Sequence, residues 1–417
     1  MPSPECPPSR MPYPDPSRAS TLRPSTATTP PTGAIRRLAL GALAVAAALF
    51  LPVTELGAQA ATPTTLRKAL DGKFLIGGTV GARHLQEPDS PTLRLAVAQF
   101  NALTSANVMK WGVINPRPGV YEFEPADAFI QFADEHDFYT IGHCLFWHSQ
   151  TPKWVFEDAD GNPLSREALL ARMRERVKLY AERYGDRVDL WDVVNESIES
   201  DGVKRRSSFN RILGDDFEAE AFKMADEFLP KTAKLIYNDY GMTSPGRRDA
   251  VVAMVKDFQA RGIRIDGIGM QGHWSMSTPT IAEIEESILA FASTGLPIHI
   301  TELDVDLLGR DQFFGAEGAN VDLASRTATP ENNPFPDGLP AAEQERLAAR
   351  YAEIFQLLVK HADKIERVTF WGITDADSWL NNWPARGRTN YPLLFDRDNQ
   401  PKPAFHRVIE VATNDQP

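Results

Sequence analysis

Strand-like and helix-like segments alternate along this chain, and that alternation restricts the fold more than composition does. Short runs rich in β-branched and apolar residues cover Phe74–Thr79, Ala102–Met109, Thr140–Phe146, Val188–Asn195, Lys234–Asn238, Gly267–Gln271, Ile298–Glu302 and Arg367–Trp371. Between and after them, helical patterns lie near Thr92–Phe100, Ala126–His136, Arg166–Tyr184, Asp216–Phe228, Arg247–Arg261, Ile281–Ser293, Ala342–His361 and Pro403–Ala412. Ser165, opening Ser-Arg-Glu-Ala-Leu-Leu, and Pro125, before Ala126-Asp127, are helix-start signals. Strands alternating with helices imply parallel βαβ units, and eight of each is the count of a closed barrel. The expected fold is α/β, a single (β/α)8 TIM barrel. An open doubly wound sheet is the competing arrangement.

Chemistry in such barrels gathers at the C-terminal ends of the strands. Here those ends carry Asn107 and Lys110, His143 and Trp147, Asn195 and Glu196, Asn238, Gln271 and His273, Glu302, and Trp371. Packing alone does not call for polar or aromatic groups at nearly every strand end. Glu196 closes Leu190-Trp-Asp-Val-Val-Asn-Glu, and Glu302 closes Pro297-Ile-His-Ile-Thr-Glu. Each alone could be a helix-start cap. As a pair, they are the equipment of glycoside hydrolysis, which needs two carboxyl groups flanking one bond.

Residues 1–60 do not resemble part of a fold. Met1–Gly33 is rich in Pro, Ser and Thr and lacks apolar periodicity. Arg36-Arg37 then precede an Ala/Leu run, Leu38–Leu51, followed by Ala58-Gln59-Ala60. That is the layout of a secretory signal peptide, and the run falls short of the ~20 residues a membrane-spanning helix needs. The expectation is a cleaved leader and a secreted or periplasmic protein with no membrane attachment afterwards; an uncleaved anchor is the alternative. The Arg pair also permits twin-arginine export. Residues 61–417 show no linker or fixed-period repeat, so they are expected to form one catalytic domain.

Cys6 and Cys144 are the only cysteines, and Cys6 lies in the leader, so no intrachain disulfide is expected. Without a thiol cluster or a His-x-x-x-His spacing, no metal site and no cofactor is expected. The net charge of −12 argues against nucleic acid as a partner and suits a neutral polymer. The expected state is a monomer.

The segments FNALTSANVMKW, GHCLFWHSQTPKWV, WDVVNES, YNDYG, IDGIGMQGHW, PIHITELDV and FWGITDADSWL resemble glycoside hydrolase family 10, the β-1,4-xylanases. They occur in the family's order from about Phe100 to Trp379. The resemblance implies a (β/α)8 barrel that hydrolyses xylan with retention of configuration. It makes Glu302 the nucleophile and Glu196 the acid/base, which must carry a proton before it can donate one. By the same resemblance Asn195 binds the 2-hydroxyl of the sugar being cleaved, Gln271 hydrogen-bonds the acid/base, and His273 and Asp304 orient and tune Glu302. Asn107, Lys110, His143 and Gln150 resemble a polar floor for sugar hydroxyls, with Asn238 among the substrate-binding residues. Trp147, Trp371 and Trp379 resemble aromatic walls, since indole faces bury the C–H faces of sugars. His84, His136, His361 and His406 fall outside the motifs and are expected to be structural or on the surface.

Two places depart from the family pattern. Family members commonly carry Glu where this chain has Ala106, so one sugar-binding group at the second upstream subsite is lost. The stretch Gly309–Pro340 far exceeds the usual βα loop of roughly two to six residues, and is expected to wall the leaving-group side of the cleft. Gly77-Gly78-x-x-Gly81 is expected to form a tight turn after the first strand. Arg386, Arg388 and Asn390 could line the cleft or brace the closing loop. The expected activity is a secreted endo-1,4-β-xylanase acting on xylan or xylo-oligosaccharides. The alternatives are a relative cutting decorated xylan or another β-1,4 glycan, and a non-catalytic carbohydrate-binding barrel.

Overall fold

Parallel pairing carries the chain around a closed ring of strands. The structure, a computed structural model, describes residues 64–309 and 326–414. The expected leader (residues 1–60) and residues 310–325 of the long stretch after Gly309 lie outside the described residues. The strands are β1 (Leu75–Val80), β2 (Ala102–Ser105), β3 (Tyr139–Trp147), β4 (Leu190–Asn195), β5 (Lys234–Asp239), β6 (Gly267–Met270), β7 (His273–Ser275), β8 (Ile298–Asp306) and β9 (Ile365–Phe370). Neighbours pair in the order β6-β5-β4-β3-β2-β1-β9-β8, and a β6–β8 pairing closes the ring. The short β7 hangs on the outer end of β8, with His273 opposite Asp304.

The principal helices are α1 (Pro91–Gln99), α2 (Glu124–Glu135), α3 (Arg166–Tyr184), α4 (Phe217–Phe228), α5 (Pro245–Ala260), α6 (Ile281–Ala292), α7 (Ala341–Lys360) and α8 (Pro403–Asn414). Their starts follow local chemistry. Ser165 accepts from Ala168 N at α3, Ser90 accepts from Leu93 N beside Pro91 at α1, and Thr280 with Glu283 closes a capping box at α6. Strand parity then divides the apolar residues. Ala102, Ile141, Leu190 and Ile236 fill the barrel, while Leu103, Val193 and Leu235 face outward against the helices. Arg176 of α3 is buried, with its guanidinium between the rings of Trp111 and Tyr180. It donates to Leu145 O (2.8 Å), Met109 O (3.0 Å) and Cys144 O (3.2 Å), which pins the segments after β2 and within β3.

Three sequence expectations are corrected. The second strand stops at Ser105, because Ala106–Lys110 turns out of the sheet with Lys110 N on Asn107 O, and Asn favours such a turn. Gly77 and Gly78 lie inside β1. A Cβ on Gly77 would stand 2.9 Å from Ala102 O, and one on Gly78 would stand 2.6 Å from Ile373 Cδ1. These glycines serve close packing, and only Gly81 precedes a helical turn, Ala82–Leu85. Glu302 does not end its strand, since β8 runs on to Asp306.

The register also breaks where the chemistry lies: between His143 and Phe146 on β3, Asp192 and Val194 on β4, and Ile300 and Leu303 on β8. Such irregularities re-aim side chains. On β8, Thr301 and Glu302 are consecutive, yet both hydrogen-bond the Asn238 side chain.

Candidate active site

Glu196 follows β4 with φ 60, a left-handed backbone that a side chain of its kind rarely adopts. The conformation is held from both sides: Glu196 N donates to Asn238 O at 2.9 Å, and Arg205 Nε donates to Glu196 O at 2.9 Å. Its carboxyl accepts from Trp147 Nε1 (2.9 Å) on one oxygen and from Gln271 Nε2 (3.0 Å) and Asn195 Nδ2 (3.2 Å) on the other. Glu302 is buried, and its N–H donates to Gln271 O. Its carboxyl accepts from Asn238 Nδ2 at 2.8 Å and meets His273 Nε2 at 3.1 Å.

An amide network joins the two glutamates. Asn238 Nδ2 donates to Asn195 Oδ1 (2.9 Å), Gln271 Nε2 reaches the same oxygen (3.3 Å), and Thr301 Oγ1 donates to Asn238 Oδ1 (2.6 Å). Each amide is oriented by its neighbours, so the carboxyls do not rotate independently.

His273 contacts carboxylates through both ring nitrogens, Glu302 at Nε2 and Asp304 at Nδ1 (3.0 Å). Burial pushes its ring down, but Asp304 and Glu302 together outweigh it and push His273 up to about 9. The imidazolium therefore donates on both sides at neutral pH. Trp379 Nε1 also donates to Asp304 (2.8 Å).

The other expected residues take their places around this centre. His143 is buried with Nδ1 2.7 Å from Asp192 Oδ2, and Trp371 lies edge-on to His143 and His273. Lys110 Nζ stands 4.4 Å from the centre of the Trp147 ring and donates to Asn107 Oδ1 (2.9 Å). Burial pushes the Lys110 ammonium down, against the pull of Cys144, Glu302, Glu196 and Asp192. Asn107 itself is exposed at the rim. Gln150 is not drawn into this network. It is exposed, and its contact is through the backbone, where its carbonyl accepts from Gly112 N.

Sequence reasoning missed Asp192, Thr301, His148, Arg205 and Trp383. Asp192 shares the inward parity of Leu190, a signal that was readable. Trp383 stacks on Trp379 at 4.8 Å and sits four residues further along. Burial pushes the His148 ring down to about 4, against the opposing pull of the nearby Glu196. Arg205 gave no local signal, since its partner lies across a loop. Arg388 donates to Gly309 O and Asn332 O, and Asn390 Nδ2 donates to Asp306 Oδ1, so both brace the closing loop. Arg386 pairs backbone to backbone with residues 326–328.

Comparison with known proteins agrees with this geometry. The profile of "Glycosyl hydrolase family 10" matches residues 65–411. Endo-1,4-beta-xylanase A of Xylanibacter ruminicola is 38% identical over 87% of this chain and 97% of its own length. The endo-1,4-beta-xylanase of Geobacillus stearothermophilus is 38% identical over 83% and 98%. Among solved structures, a GH10 endoxylanase from a sugarcane soil metagenome superposes with TM-score 0.78 at 43% identity, covering 84% of this chain and all of that one. A mutant crystallised with xylotriose gives TM-score 0.74 at 34% identity, covering 84% and 100%. This chain belongs to glycosyl hydrolase family 10 and is a glycoside hydrolase.

Proposed function

We propose that the protein is an exported endo-1,4-β-xylanase that cleaves xylan with retention of configuration. One observation carries the division of labour: a cation touches one glutamate and neutral donors hold the other. The His273 imidazolium donates to Glu302, which favours an ionised nucleophile. Glu196 is held by the neutral groups of Trp147, Gln271 and Asn195, which tolerate a protonated carboxyl. In this mechanism Glu302 attacks the anomeric carbon while Glu196 gives its proton to the leaving oxygen, forming a glycosyl ester. Glu196 then takes a proton from water, which displaces Glu302 and restores both groups.

Asn195, beside the acid/base, is assigned to the sugar 2-hydroxyl, where hydrogen bonds strengthen in the transition state. Lys110, His143 and Asn107 supply donors and acceptors for the upstream sugars, and Trp147, Trp371 and Trp379 supply apolar faces. Gln150 joins them if its exposed side chain folds inward over a bound sugar. The relatives' names, and xylotriose in one of the similar structures, support xylan as the substrate. The test is release of reducing ends from xylan, with the anomeric form of the first product followed by NMR. Retained configuration, together with activity lost in Glu302→Ala, is expected. Inverted product, or binding to xylan without hydrolysis in the wild type, overturns the reading. Export is tested by N-terminal sequencing of the released protein, which should begin just after Ala60.

A further inference from the structure

The barrel interior contains a charge that the mechanism above does not use. Arg367 of β9 is 1% exposed, and its register partners are His299 on β8 and Leu75 on β1. Its Nη1 donates to Thr369 Oγ1, one step nearer the catalytic end, while Nε and Nη2 find no hydrogen-bond partner among the described residues. Around it stand Tyr139 of β3, Asp192 of β4, Glu366 of β9, and His299 and Glu302 of β8, with Lys234 of β5 facing His299. His299 is itself fully buried, and burial, Arg367 and Lys234 all push its ring down, so it is neutral. Gly267 makes room for that ring, since a Cβ there would stand 2.7 Å from His299 Nε2. Glu366 is engaged in an ion pair with Lys234. A buried guanidinium without a bridging carboxylate is expensive, so it must be sustained by charges at longer range. The others are Asp192, hydrogen-bonded to His143, and Glu302, in contact with His273, both at the catalytic end.

We infer that Arg367 is an electrostatic positioning residue that keeps the charge around the carboxyl pair balanced through both steps of the reaction. The inference rests on the two-carboxyl mechanism. In the resting site the Arg205–Glu199 and Arg247–Asp239 pairs each cancel and His143 is hydrogen-bonded to Asp192, while Lys110, His273 and Arg367 stand against Asp192, Asp304 and Glu302, with the proton on Glu196. In the glycosyl-enzyme Glu302 is an uncharged ester and Glu196 has given up its proton, so the balance is unchanged. Without Arg367 the site carries one excess negative charge in each state, and both carboxyls then hold protons more tightly.

The test is the pH dependence of kcat/KM on an aryl xylobioside, with folding checked by circular dichroism. In Arg367→Gln both limbs of the profile move to higher pH by roughly half to one unit, the effect of a unit charge about 10 Å away in partly screened surroundings. Arg367→Lys restores the wild-type limbs. His299→Glu places a carboxylate beside Arg367 and cancels its field without removing it, so the same upward shift is expected, whereas His299→Gln leaves the limbs in place. A purely structural Arg367 lowers stability in Arg367→Gln without moving either limb, and that result overturns the inference. If Arg367→Gln does not fold, unmoved limbs in His299→Glu do the same. A wild-type profile without two limbs defeats the two-carboxyl mechanism instead.

Discussion

His273 should make this protein's stability depend on pH in a window where few groups titrate. An unfolded histidine titrates near 6.5, while in the fold Asp304 and Glu302 push His273 up to about 9 against its burial. The native ring thus binds its proton more tightly than the unfolded one. The resulting stability is fully present below about pH 6.5 and is lost as pH rises through about 9. A displacement of about 2.5 pH units corresponds to roughly 3 kcal/mol. His273→Gln keeps a donor for one carboxylate but has no proton to gain, so its stability lacks this term. Urea unfolding of both proteins at about pH 6 and pH 10 measures it. The gap between wild type and variant should shrink by roughly 3 kcal/mol at the higher pH. Raised salt should change little, because the ring and both carboxylates are largely out of solvent. An equal gap at both pH values would mean that the ring is neutral in the native state. The assignment of Glu302 as the glutamate kept ionised by a cation would then lose its basis.

Other consequences follow from particular contacts. Lys402 is buried and donates to Asp375 Oδ2 (2.8 Å), Tyr391 O (2.8 Å) and Leu393 O (2.7 Å). Lys402→Met leaves Asp375 buried and unpaired, so denaturant unfolding should show a loss of about 3–5 kcal/mol, largely recovered by adding Asp375→Asn. Ala106 is half-buried beside Gly81, whose lack of a side chain leaves the neighbouring space free of a Cβ. Ala106→Glu should tighten plain xylo-oligosaccharides by about 1.5–3 kcal/mol relative to side-chain-substituted ones. Unchanged Michaelis constants for both would refute a role for this position in substrate choice.

The barrel was legible because its evidence is periodic. Each strand's apolar run and helix-start residues such as Ser165 and Pro125 are local signals, and the helices begin and end within about two residues of where the sequence patterns place them. Glu196, Glu302, His273 and Asp304 were legible as residues, and the resemblance already implied Gln271 on Glu196 and His273 on Glu302, but the Asn238 bridge to Glu302 and the Trp147 donor to Glu196 were not. Gly77 and Gly78 look like a turn in sequence because a glycine admitted for close packing is the same letter as one admitted for a positive φ. The end of β2 was misplaced because Val108 and Met109 continue the apolar run beyond the turn that Asn107 makes. Partners such as Arg205 and Arg388 depend on loops that meet only after the barrel closes. No spacing rule reaches them.

The least legible feature is the one on which the site depends. A packed barrel alternates inward and outward side chains, so a strict reading of β8 puts Thr301 inside and Glu302 outside against the helices. The register break between Ile300 and Leu303 cancels that alternation for one step. Thr301 then orients Asn238, Glu302 receives a hydrogen bond from the same amide, and Asp304 follows on Glu302's side to meet His273. The break on β4, between Asp192 and Val194, likewise lets an inward Asp192 precede Asn195 and the left-handed Glu196. Placing the two carboxyls to face one substrate involves a departure from ideal pleating on each of β4 and β8, and each departure leaves backbone groups to be satisfied elsewhere. Gln271 supplies one such partner, with its carbonyl accepting from Glu302 N and its side chain donating to Glu196. A single residue thereby holds the backbone of one glutamate and the carboxyl of the other. Gln271→Ala keeps the carbonyl but removes the side chain that donates to Glu196 and Asn195, and because Glu196 serves as acid and then as base, kcat should fall for both formation and hydrolysis of the glycosyl-enzyme in pre-steady-state measurements. A change confined to KM would show that the Gln271 side chain does not position Glu196.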